Sequence, residues 1–288
     1  MKNKNILTTT VLAIAGITLA ASSAQANTYT PGDLLLGFRG TTGTGTSITN
    51  PTTNVVIDIG QASTYTQQGG ATFTVGTFSA LSTNYGPNWW SAGKLFWGVT
   101  GDATTSNAVD TLYAGGKETI TGGSFVPANP ANLFTPNTSS NQSAVVNKIE
   151  AFGNTFATYS SLAGAGPDGA LQQGSDTNSF TSYAKNGVNS GASTDFGFFS
   201  SVAFEGVLNG AALNTTAGKK LDLFQFVPTD ATSNPGTSNL EGTFTIANDG
   251  TVSYTEVAPV PEPATGSLVA GIAAVAAVIR RRRRAVAV

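Results

Sequence analysis

Eight short apolar runs, each closed off by Gly, Asn, Ser or Thr, restrict what this chain can fold into more than any other feature. They fall at Asp33–Phe38, Val55–Ile59, Thr72–Thr77, Leu95–Val99, Thr194–Phe204, Leu221–Phe226, Thr243–Ala247 and Thr251–Val257. Alternation at a period of two puts one set of side chains on one face of a strand, and runs this short suit strands better than helices. In the last pair, Phe244 and Ile246 alternate with Thr, and Val252 and Tyr254 alternate with Ser and Thr. Asn248-Asp249-Gly250 between them supplies residues that tolerate positive φ, which predicts a hairpin. One stretch has the other period. Val145, Ile149, Phe152, Phe156 and Tyr159 recur at spacings of four and three, predicting an amphipathic helix over Ser143 to Tyr159 whose apolar face covers a sheet. The expected body is mainly β, a single antiparallel β-sandwich-like domain with one amphipathic helix. No fixed repeat marks a solenoid or propeller.

Composition narrows the chemistry. Charged residues are 10% of the 288, Gly numbers 34, and Ser plus Thr make up about a quarter; ordinary domains carry about 25% charged residues. The chain has no Cys and no His. That excludes disulfides, thiolate nucleophiles, imidazole acid–base chemistry and zinc sites of the usual ligand sets. The expectation is a protein that is not an enzyme and carries no cofactor.

The net charge of −2 conceals three regions. Residues 27–259 hold seven cations against 15 carboxylates, a net −8, whereas both chain ends are basic and each basic cluster adjoins an apolar stretch. At the start, Lys2 and Lys4 precede the apolar run Ile6 to Ala21, and Ala24-Gln25-Ala26 then places small residues two apart. This three-part order is that of a secretory signal over residues 1–26, a signal helix that signal peptidase would cut after Ala26 to leave Asn27 first.

At the other end, Val260-Pro261-Glu262-Pro263 precedes the uncharged stretch Ala264 to Ile279, and Arg280, Arg281, Arg282, Arg283 and Arg284 follow. The 16 uncharged residues would span about 24 Å as a helix, short of a hydrocarbon core of roughly 30 Å. Snorkelling arginines can extend that reach. The prolines hold the preceding segment extended at the membrane surface, and the arginines keep the tail end cytoplasmic with the acidic body outside. Residues 260–288 resemble the PEP-CTERM sorting signal of Gram-negative bacteria, in which a Pro-Glu-Pro motif, a short transmembrane helix and an Arg cluster are read by an exosortase. Ala285 to Val288 after the arginines depart from that pattern but leave the three-part order intact.

The resemblance implies an exported protein, first anchored in the inner membrane and then placed at the cell surface or outside the cell, with exopolysaccharide as an associated partner. Asp33-Leu34-Leu35-Leu36-Gly37-Phe38-Arg39, Val55-Val56-Ile57-Asp58-Ile59-Gly60, Trp97-Gly98-Val99 and Leu221-Asp222-Leu223-Phe224 also resemble passengers of this type, which implies no activity for the body. An acidic body repels phosphate, so nucleic acid is not an expected partner.

Candidate sites within residues 27–259 are few. Trp89 and Trp90, in a Gly-Pro-Asn turn, would suit stacking on sugar rings if exposed, which keeps a carbohydrate-binding or glycoside-hydrolase-like reading open as the alternative. Trp97 shares a strand face with Leu95 and Val99 and is expected in the core. Glu205 follows an apolar stretch where burial would raise a carboxyl pKa; its partner as a glycosidase pair would be Asp58, Asp195 or Asp222. Asp176 and Asn178 begin like a calcium loop but lack its later ligands, leaving loosely held structural calcium as the one metal expectation.

Overall fold

A computed structural model of the chain describes residues 26–42, 48–67, 69–103, 110–121, 124–134, 138–166, 168–184, 204–208, 217–229 and 236–258. The signal segment up to Gln25, the Pro-Glu-Pro motif, the C-terminal apolar stretch and the Arg cluster lie outside these residues, as does the Thr194–Phe204 run apart from Phe204.

In chain order the strands are β1 (Asp33–Gly40), β2 (Thr53–Gln61), β3 (Thr72–Thr77), β4 (Leu95–Ala103), β5 (Thr111–Lys117), β6 (Thr119–Thr121), β7 (Ser124–Val126), β8 (Gly169–Gln173), β9 (Gly206–Leu208), β10 (Lys220–Val227), β11 (Thr237–Ile246) and β12 (Thr251–Glu256). Helices are α1 (Ala80–Tyr85), α2 (Pro130–Leu133), α3 (Ser139–Phe156) and α4 (Phe180–Ala184). The protein is mainly β and antiparallel, as its periodicity predicts. Among the described residues ten strands form one sheet in the order β3-β12-β11-β10-β5-β4-β1-β2-β8, with β9 beside β4, while β6 and β7 pair separately. The sheet curls until its two ends approach: the Ala80 N–H, just past β3, donates to the Gly164 carbonyl at 3.0 Å, in the loop leading to β8.

Curling gives the sheet an inside and an outside. Leu34, Leu36 and Phe38 of β1, Val55 and Ile57 of β2, Leu95, Trp97 and Val99 of β4, and Phe244, Ile246, Val252 and Tyr254 of the last hairpin fill the inside. Trp97 stacks on Phe38 with centroids 6.0 Å apart, and its indole N–H donates to the Gly218 carbonyl at 2.6 Å. Leu81 and Tyr85 of α1 close this core; the Tyr85 hydroxyl lies 3.0 Å from the carbonyls of Phe38 and Thr53 and accepts from the Val55 N–H.

Outside, α3 lies over β4 and β5. Its Val145, Ile149, Phe152 and Phe156 are buried against Leu35, Val56, Leu112, Ala114 and Phe224. The helix starts four residues before the expected Ser143 and ends at Phe156, so Tyr159 lies past its end. Its start is held by Gln142 Nε2, which donates to the Asp110 carbonyl at 2.7 Å and the Phe226 carbonyl at 3.2 Å. With Asn, Gly, Thr and Val among its 18 residues, its intrinsic propensity is modest. Burial of large apolar side chains at up to about 1.5–3 kcal/mol each supplies the stabilisation instead.

Two glycines position the remaining cover. Gly37 and Gly98 are cross-strand partners on the outer face. A Cβ on Gly37 would lie 2.2 Å from the Phe180 ring, and one on Gly98 would lie 2.9 Å from Phe204. The missing side chains form the slot in which α4 and the approach to β9 settle.

Candidate binding cleft around Arg39 and Glu205

Strand alternation places Arg39 on the outer face, with Gly37 and opposite to Phe38. Its cross-strand neighbours are Phe96 on β4 and Asn54 on β2, and Asn54 in turn pairs with Gln172 on β8. The register therefore sets a row across four strands, Phe96, Arg39, Asn54 and Gln172. Arg39 meets Glu205, 166 residues away, in a two-point contact: Nε donates to Oε1 at 2.7 Å and an Nη donates to Oε2 at 2.5 Å. Both side chains are buried, and the guanidinium carbon sits 4.4 Å from the Phe96 ring centroid. Burial pushes the Glu205 carboxyl up, and the guanidinium's hydrogen bonds and charge oppose that shift. Such a pair adds little net stability over an apolar pair of the same volume, but removing one partner strands a buried charge.

Beside this pair opens a cavity of about 650 Å³, lined by Arg39, Thr41, Thr52, Gln173, Ser175 and Thr181 among others. The strand ends are tied around it: the Gly174 N–H donates to the Thr52 carbonyl at 2.8 Å, and the Thr41 N–H to the Lys94 carbonyl at 2.9 Å. The Thr181 hydroxyl donates to Asn54 Oδ1 at 2.6 Å, and Gln172 Oε1 accepts from the Phe180 N–H at 3.2 Å. Asn54 Nδ2 and Gln172 Nε2, fully buried behind Thr181 and Phe180, have no hydrogen-bond partner among the described residues. Buried amide donors are ordinarily satisfied, so this row is polar beyond what the fold requires.

The other predicted sites fall elsewhere. Trp89 and Trp90 do not form an exposed pair. They begin a 3₁₀ turn, Trp89–Ser91, in which successive side chains diverge by about a third of a turn. Trp89 is buried in the inner core at 2% exposure, while Trp90 is half-buried with Lys219 Nζ 5.2 Å from its ring centroid. Glu205 is held by Arg39 and not by a second carboxylate. Asp222 accepts from the Ala128 N–H and the Thr243 hydroxyl, Asp58 accepts from the Gly60 N–H, and Asp195 lies outside the described residues. Asp176 accepts from the Gln173 N–H in a local turn and from the Tyr159 hydroxyl past the end of α3. Among the described residues no group of three or more acidic side chains is placed to hold a metal, and no helix is long and apolar enough to cross a membrane.

Ala26 and Asn27 do fall within the described residues. Asn27 is buried, and its Nδ2 donates to the Tyr159 carbonyl at 2.8 Å. Ala24, Pro261, Glu262, Pro263 and Arg280 to Arg284 lie outside.

A further buried group is Asp102, on the outer face under α3. Its Oδ1 accepts from the Tyr29 hydroxyl at 3.1 Å, and its Oδ2 has no partner among the described residues. Burial first, then the nearby Glu150 charge, push its carboxyl up to about 6 against the Tyr29 hydrogen bond.

Sequence reasoning passed over the Arg39 cleft because its two charges are far apart in the chain. One signal was present: Arg39 is the sole arginine between residues 27 and 259, and it ends an otherwise apolar strand. No protein-family model, curated protein or solved structure matches this chain.

Proposed function

We propose that this protein is an exported, non-catalytic cell-surface or extracellular-matrix protein, delivered by signal peptidase and by an exosortase-type enzyme acting on residues 260–288. The observation that carries this reading is the order Pro261-Glu262-Pro263, uncharged stretch, five arginines. The last two parts suffice for a membrane anchor, and the first would then be superfluous. In this account the protein is held briefly in the inner membrane with the arginines cytoplasmic, then reaches the surface. The curled sheet acts there as a sandwich-like interaction domain, with exopolysaccharide as its partner.

Two features of the body support this reading. A chain beginning at Asn27 would lose the Ala26 bridge to Ser160 but keep its first residue tied to Tyr159, so the expected cleavage point falls at the edge of the folded body. Glu205, the strongest candidate for an acid catalyst, is engaged on both oxygens by Arg39, which disfavours a glycosidase role. The cleft itself favours the alternative in its binding form, a carbohydrate-binding domain under the same sorting tail.

The test separates motif from anchor. Glu262→Gln preserves size, backbone restriction and helix length, so a plain anchor should behave as before. If the motif is read, the uncut form accumulates in the inner membrane and the surface or released form falls. Equal distribution of both proteins in a host that has the sorting enzyme overturns the proposal. At the other end, Ala26→Glu should leave a larger, membrane-held precursor, and normal processing of that variant would argue against the site.

A further inference from the structure

We infer that the cavity beside Arg39 is a binding subsite for a neutral, hydroxyl-rich ligand, chemically a neutral saccharide unit. This rests on the reading of the body as a surface binding domain and names the site and ligand class that reading lacks.

Charge eliminates two classes of ligand. Glu205 neutralises the Arg39 guanidinium at two points, so among the described lining residues an anion finds no uncompensated cation, and it would also approach a body of net charge −8. A cation would need the same carboxylate, which is already held.

Hydrogen-bond polarity narrows the choice further. The Thr181 hydroxyl gives its proton to Asn54 Oδ1, and the Thr41 hydroxyl gives its proton to the Lys94 carbonyl at 3.3 Å. Both oxygens are thereby left to accept. Gln173 contributes amide donors as well as a carbonyl, and the exposed Ser175 can do either. A wall that interleaves acceptors and donors matches hydroxyl groups, each of which gives one proton and accepts at two lone pairs. Phosphate, sulfate or a carboxylate would set lone pairs against the oxygens of Thr41 and Thr181.

Size agrees: about 650 Å³ lies within the roughly 300–1,000 Å³ of small-ligand pockets. The unpartnered amides of Asn54 and Gln172 directly behind the wall mark a polar region that packing alone does not explain.

The full-length protein in detergent micelles is applied to an array of neutral hexose and N-acetylhexosamine oligosaccharides printed beside uronate and sulfated ones. Retention on neutral glycans and not on charged ones is expected. Ser175→Trp, which fills the cavity from an exposed position, should abolish retention, and Gln173→Leu should weaken it about fivefold, the value of one hydrogen bond. Thr177→Trp, on the same turn but outside the lining, should bind as wild type, and all three should keep the wild-type unfolding midpoint. The inference is overturned if no neutral saccharide is retained, if charged glycans bind as well or better, or if Ser175→Trp still binds. Glu262→Gln should bind like wild type here, so a failure of the sorting proposal and a failure of this one give different results.

Discussion

The two faces of the curled sheet are buried by different means. Inside, the strand positions 34, 36 and 38, 55 and 57, 95, 97 and 99, 221 and 223, and 244 to 254 on the core side carry only aliphatic and aromatic side chains. Polar atoms there sit at the tips of aromatic rings and are paired: the Trp97 indole N–H donates to the Gly218 carbonyl at 2.6 Å, and the hydroxyls of Tyr65 and Tyr254 meet the Ile59 and Tyr65 carbonyls, both at 2.8 Å. Outside, the same sheet buries Arg39, Asn54, Asp102, Gln172 and Asp222 among apolar neighbours. A core that only has to stabilise has no use for isolated amides and carboxyls, because each costs free energy unless it is paired. The apolar clusters of both faces contribute stability, and the outer face, with its buried polar groups, is where chemistry beyond stability is to be sought.

The comparison is tested hardest at Arg39. Arg39→Met leaves Glu205 buried without its partner and should lower unfolding free energy by about 3–5 kcal/mol. Adding Glu205→Leu should restore most of that, since an apolar pair of similar volume replaces the ion pair with little penalty. On the inner face, Leu36→Ala should cost about 2–5 kcal/mol and find no such rescue from a single second change. Denaturant midpoints of the four proteins decide the matter. If the double variant is no more stable than Arg39→Met, the outer-face charges are not a paired unit.

Asp102 sharpens the same contrast through pH. Its folded carboxyl titrates near 6, above the value of about 3.9 for an unfolded Asp. Between these values the folded state holds a proton that the unfolded chain has released, so stability falls as pH rises and the loss is complete above about 6. Glu118, pushed up to about 7 by burial and by Asp222, and Asp58, pushed up to about 8 by burial and by Asp33, shift in the same direction. The wild-type protein should therefore be more stable near pH 5 than near pH 8. Asp102→Asn should stabilise it at pH 8 by about 2–3 kcal/mol and flatten the lower part of the profile. A profile that rises from pH 5 to pH 8 would contradict this account of the outer face.

At Gly37 the expected effect is smaller, about 1–3 kcal/mol, typical of overpacking. Gly37→Ala sets a methyl against the Phe180 ring, so α4 must shift. The same substitution at Gly60, where a Cβ meets nothing within 4 Å but φ is +87°, costs only backbone strain of about 1–2 kcal/mol. Near-UV circular dichroism should change for Gly37→Ala and not for Gly60→Ala.

How much of this was legible in the sequence follows from the same division. The inner face shows itself as alternation, so β1, β2, β3, β4, β10 and the last hairpin stand close to the runs that predict them, and Gly250 takes φ +89° in the expected turn. Strand β5 escaped because Ala114, Gly115 and Gly116 dilute its pattern; a Cβ on Gly115 would lie 2.7 Å from Val99, so the sheet's close packing demands the very residue that hides the strand. Strand β8 escaped because Gln172 and Gln173 stand where its short apolar run would have to continue. Trp89 misled because a Gly-Pro-Asn turn reads as surface, whereas here it feeds a 3₁₀ turn that tucks the indole inward. The Arg39–Glu205 pair depends on register across distant segments, which local periodicity does not encode.

The smallest expected effect lies where neither face applies, at the sheet edge. Along β3 and β12, Thr72 and Thr255 approach within 3.0 Å through their hydroxyls, as do Thr77 and Thr251, and all of these contacts are exposed to solvent. A hydroxyl on a solvated edge exchanges one hydrogen bond for another with water, so its net value is small, and cross-strand pairs of this type contribute roughly 0.2–1 kcal/mol. Thr72→Val retains the branched side chain that suits a strand while removing the donor. It should shift the unfolding free energy by no more than about 0.5 kcal/mol, well below the change expected for any buried polar group on the outer face. A loss above about 1 kcal/mol would mean that the edge hydroxyls matter structurally as much as the buried groups do, and burial would then no longer be what separates the polar groups that matter from those that do not.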